Sequence, residues 1–140
     1  MQTTYQNQAS GLAISNTGIV WLKLAVLYLM LGVGLGIAMG ASQNFTLRPV
    51  HAHVNLLGWT TLALAGLIYS VFPQAGHSKL AKVHFWMMNL AMPVMMVALS
   101  IILLTGNQAV VPFLAIAEFV AAGAIIAFAA NLFLNLKPQQ

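Results

Sequence analysis

The 140-residue chain is 61% hydrophobic and 4% charged, with a mean hydropathy of +0.90. A water-soluble domain carries roughly 25% charged residues, so the composition places this chain in a lipid bilayer and allows one compact domain. The formal charge of +4 reflects five Lys and Arg against a single acid. Scattered cations without a dense basic patch exclude nucleic acid as a partner, and the absence of cysteine excludes disulfides, thiolate metal sites and thiol catalysis.

Residues 1–17 form a polar N-terminal segment, uncharged from Met1 to Asn16, without the basic n-region of a signal peptide. The first apolar span is therefore expected to be retained. Four spans follow within a single domain over residues 18–136: Gly18 to Ala41, Val50 to Phe72, Val83 to Leu104, and Val110 to Leu134. Each reaches the ~20 residues a helix needs to cross the hydrocarbon. Backbone in lipid must satisfy its own hydrogen bonds, and the links between spans are short. The expected fold is all-α, an integral membrane four-helix up-down bundle.

In the first span Gly32, Gly36 and Gly40 recur every four residues, a small-xxx-small pattern that lets helix backbones approach closely. Ala117, Ala121 and Ala124 offer the same in the fourth. Lys23, Lys79, Lys82 and Lys137 fall at one end of the bundle and Arg48 at the other. The positive-inside rule then predicts a cell (inner) membrane protein with both termini cytoplasmic.

The second span opens with the richest polar cluster, Arg48-Pro49-Val50-His51-Ala52-His53-Val54-Asn55, followed by Gly58-Trp59. Ionisable groups at a membrane helix end are costly unless they bind or pair with something. The cluster reads as a ligand site, with heme as the first candidate. Residues two apart on a helix point ~200° away from each other, so His51 and His53 do not approach one metal from the same side. His51 shares a face with Asn55 and Gly58-Trp59, where the glycine leaves room for a porphyrin edge. His53 faces another helix, a partner subunit or interface water.

His84 lies at the far end of the bundle, roughly 20 residues of rise or ~30 Å from His51. Interfacial anchoring beside Trp86 is its expected role, with a pairing to His77 as the alternative. Met88, Met92, Met95 and Met96 form a stripe on the third helix, read as core packing, and Pro93 is expected to kink that helix. Glu118, the single acid, lies inside the fourth span in the same half as His51 and Arg48. It is expected to hydrogen-bond a ligating histidine or to pair with Arg48, a neutral packing contact being the plain alternative.

Arg48-Pro49-Val50-His51 resembles the start of the second helix in catalytic subunit I of heme-copper oxygen reductases. The likeness is greatest to the cbb-type enzymes and the related nitric oxide reductases. There the helix often begins Arg-Pro-x-His and that histidine ligates a low-spin heme b, which implies the same role for His51. Phe85-Trp86 with Asn89 and Pro93 is loosely similar to the family's third helix. The family draws its other heme and copper ligands from helices beyond these four, so the resemblance does not imply oxygen reduction by this chain alone.

A second axial ligand is then expected from a homodimer, in which symmetry supplies a histidine from each subunit. His53 is the other candidate. Arg48 would face a heme propionate. Asn55 or Glu118 would accept the proton on the ligand's other ring nitrogen. The expected function is electron transfer, with quinol or a small redox protein as partner, or heme handling. One alternative is copper or zinc held by His51, His53 and Glu118 with the methionine stripe as a path. The other is a non-catalytic accessory subunit of a respiratory complex.

Overall fold

Apolar runs that leave no water for their backbone close their hydrogen bonds along the chain. In a computed structural model that describes residues 16–136, they do so as four long helices. These are α1 (Asn16–Ser42), α2 (Arg48–Val71), α3 (Lys79–Thr105) and α4 (Val111–Asn135). The shortest, α2, has 24 residues, about 36 Å at 1.5 Å per residue, enough to cross the hydrocarbon. The protein is a multi-pass membrane protein with an all-α four-helix bundle. Of the polar N-terminal segment only Asn16 and Thr17 are among the described residues, and Lys137 lies outside them.

α2 and α3 begin before their apolar runs do, because polar residues wind onto their first turns. Ser78 caps α3, its Oγ accepting from the Ala81 amide at 2.9 Å, so the helix starts at Lys79 rather than Val83. Pro49 sits in the first turn of α2, where its missing amide costs nothing. Gly106 ends α3 in the left-handed region at φ +69°, and its amide bonds the Ile102 carbonyl. Asn107 then accepts from the Ala109 amide and starts the one-turn helix Gln108–Val110 that leads into α4.

Small residues set the spacing within each hairpin. Between α1 and α2 a methyl group at Gly18 would lie 2.7 Å from the Gly66 carbonyl oxygen and would strike the Ser70 hydroxyl. A methyl at Gly58 would enter the Tyr28 ring at 2.6 Å. On α3 and α4 the alanines Ala91, Ala98, Ala117, Ala121 and Ala124 are all buried. This is the close approach that small residues permit in lipid. Large side chains separate the two hairpins: Trp21, Tyr69, His84, Met88, Met92 and Met95 are fully or almost fully buried. All four stripe methionines lie in the core, as their reading as packing predicts.

Outward faces carry the opposite pattern, with Phe133 89% and Phe119 80% exposed. Such surfaces belong against acyl chains rather than water. α3 runs unbroken through Pro93, whose ring lies on an exposed face. Of the expected glycine ladder on α1, Gly32 and Gly36 face α2, whereas Gly40 has open space beside it. The backbones touch at Gly18 and Gly66 instead.

Gly18→Ala should therefore destabilise the bundle by ~1–3 kcal/mol through overpacking. Gly40→Ala should be neutral or stabilising by up to ~1 kcal/mol, as for any exposed helical glycine. Reversible unfolding in mixed micelles compares the two directly, and equal effects would contradict the packing described.

Candidate functional site

The second helix is the least apolar of the four and does not keep one helical form. Arg48–His53 is α-helical, Val54–Thr61 is a π-helix, and Leu62–Val71 returns to α. In the π segment the Thr60 and Thr61 hydroxyls donate to the Asn55 and Leu56 carbonyls, five residues back, at 3.0 and 2.9 Å. A π-helix is rare and usually marks a position where something other than regular packing decides the backbone. Here it starts one turn below His51.

His51 lies in the α1–α2 seam. Its Nδ1 is 3.0 Å from the Gly32 carbonyl oxygen, and its ring edge lies against Gly36, 3.0 Å from where a methyl would be. A carbonyl only accepts, so Nδ1 carries the hydrogen and Nε2 of the neutral ring carries the lone pair. Asn55 locks this arrangement. Its Nδ2 donates to the His51 carbonyl at 2.8 Å and stands 3.4 Å from Nδ1, while its amide fills the space above Gly32. The expectation that Asn55 or Glu118 accepts the ring proton is corrected: the acceptor is the Gly32 backbone. The pairing of His51 with Asn55 on one face is as the spacing predicts.

The rest of the predicted cluster disperses. His53 lies on another face, with its Nδ1 donating to the Pro49 carbonyl oxygen at 2.8 Å, which leaves Nε2 as the ring nitrogen turned away from its own helix backbone. Arg48 is exposed at the helix start with its guanidinium 5.4 Å above the Phe45 ring centre. Trp59 is half-buried against the core. The room expected beside Gly58 for a porphyrin edge is filled by Tyr28.

Glu118 is exposed on α4, and no hydrogen bond or ion pair reaches it among the described residues. Its expected contact with Arg48 or with a ligating histidine in the same chain is thus corrected, because it projects from the outward face of α4. Among the described residues no three His, Asp or Glu side chains gather.

At the opposite end lies a polar cluster that the sequence reading missed. His84 is fully buried rather than anchored at the interface, while His77 is exposed. The His84 ring packs between Trp21 and Phe128, with centroids at 4.5 and 4.8 Å, and its Nδ1 is 3.0 Å from the Tyr69 hydroxyl. Asn131, also fully buried, donates to the Tyr69 hydroxyl at 3.3 Å and to the Ala75 carbonyl at 3.0 Å. Its Oδ1 accepts from Ser78 and Asn135, each at 2.7 Å. The cluster thereby ties α2, α3 and α4 together where buried polar groups have no water to turn to. Its signal in the sequence is one polar residue per span, Tyr69, His84 and Asn131, all near the same end.

The chain matches no family model, no curated protein and no solved structure. The resemblance at Arg48-Pro49-Val50-His51 therefore stands on those residues alone.

Tyr69→Phe should cost ~1–3 kcal/mol, because it strips partners from two buried groups, His84 Nδ1 and the Asn131 amide. Denaturation in detergent measures this, and a variant as stable as the parent would show that the cluster does not support the bundle.

Proposed function

We propose that this chain is a membrane b-type heme-binding protein that acts as a homodimer in electron transfer or heme handling. The observation that carries this reading is the state of His51. Its Nδ1–H is spent on the Gly32 carbonyl, and Nε2 of this half-buried side chain has no partner among the described residues. Ligating histidines are held in this way, by a hydrogen bond from the other ring nitrogen that sets the tautomer and orients the ring. The match to the Arg-Pro-x-His helix start of oxidase subunit I supports the same assignment.

The fit has a limit that shapes the proposal. Tyr28 closes the space over Gly58, so a porphyrin would sit on the outer side of the α1–α2 seam rather than within the bundle. One imidazole holds heme weakly, and no second histidine of the chain shares the face of His51. A symmetric copy supplies the other ligand. Arg48, exposed at the same helix end, suits a propionate. When bound, the heme supplies a one-electron carrier whose potential follows its axial ligands and local polarity. Quinol or a small redox protein is the corresponding partner. Lys23, Lys79 and Lys82 at one end support an inner-membrane placement with both termini cytoplasmic. The outward-facing Glu118 supports a second reading, an accessory subunit packed against a larger complex.

A dithionite-reduced minus oxidised spectrum of protein purified in mild detergent should show b-type α and Soret bands. His51→Ala should abolish them. Gly36→Val should weaken them by pushing the ring off its seat. A featureless spectrum from heme-supplied cells, or unchanged heme in His51→Ala, would overturn the assignment.

A further inference from the structure

Glu118 and His53 are two polar groups held in the outward part of the bundle at matching depth, each without a side-chain partner among the described residues. Glu118 lies seven residues into α4 and His53 five residues into α2, about 10 and 8 Å from the helix starts at 1.5 Å per residue. Both helices start at the same end of the up-down bundle. A carboxyl at that depth faces acyl chains unless a partner covers it, and an intramembrane ionisable group is rarely left so. Arg48 stands at the very start of α2, roughly 10 Å above Glu118, with Phe45 beneath its guanidinium. His53 is the better match. Its Nδ1 is bound to Pro49, so Nε2 is the atom left to meet a carboxyl.

On the α4 face around Glu118 the small residues Ala115 and Ala122 lie one turn to either side, while Val111 and Ile125, two turns away, are larger and exposed. Ala115 and Ala122 are half-buried and exposed respectively, whereas the neighbouring face carries Phe119 and Phe133. Small residues admit another helix, and bulky ones suit lipid.

We infer that the Glu118 face of α4 docks against α2 of a second copy of this chain, with the Glu118 carboxyl hydrogen-bonded to His53 Nε2 of the other copy. A two-fold axis forms the pair twice, so the one acid and its counterpart in each chain are both satisfied without a further protein. The inference shares only the homodimer with the heme reading and needs no cofactor.

The chain contains no cysteine, which makes the test clean. Differently tagged His53→Cys and Glu118→Cys chains are co-expressed in membranes without added heme and treated with a short bismaleimide. Cross-linking is expected between the two chains together and in neither chain expressed alone. Linking of Glu118→Cys chains to each other, or no linking of inserted chains, would overturn the docking. Independently, Glu118→Leu should weaken self-association by about tenfold, the scale of a hydrogen bond between membrane helices. Unchanged energy transfer between labelled copies of that variant would also overturn it. Loss of heme with cross-linking intact counts against the cofactor alone.

Discussion

The close approach of α1 and α2 is the contact on which the rest of the structure depends. Lipid offers no hydrophobic drive to pull helices together, so their contact rests on fit and on hydrogen bonds that water does not compete for. Glycine at 18 and 66 lets the backbones meet, and glycine at 32, 36 and 58 receives Asn55, His51 and Tyr28 in turn. Filling any of these places would move α2 outward and take His51 away from the Gly32 carbonyl.

The unusual course of α2 lies along that seam. Residues 54–61 carry Asn55 over Gly32 and Gly58 against Tyr28, and Tyr69 enters the core two turns further on. The two threonine hydroxyls support the longer turns of the π segment. Backbone geometry and the orientation of His51 are thus parts of one arrangement.

The bundle is polar at both ends for different purposes. At the Lys79 end Ser78, Tyr69, Asn131 and His84 Nδ1 hydrogen-bond one another inside the bundle, which holds three helices in register. At the Arg48 end, Glu118 faces away from the bundle, His53 is half-buried and bonded only to the Pro49 carbonyl of its own helix, and His51 presents an Nε2 that no atom of the described residues engages. The first arrangement holds helices together, and the second leaves its polar groups outside that network.

Composition and periodicity alone determined the membrane setting, the four helices, their up-down order and the packing role of the methionine stripe. These follow from hydrophobicity and length, which act locally along the chain. The His51–Asn55 face was legible too, since a one-turn spacing survives almost any helical packing. Tertiary structure alone decided that Gly32 rather than Glu118 takes the His51 proton, that Tyr28 fills the space beside Gly58, and that His84 is sealed inside rather than anchored at the surface. Each of those outcomes depends on which neighbour a helix face meets. Rotation and pairing of helices are set by side-chain fit between segments far apart in sequence, and no local pattern encodes them.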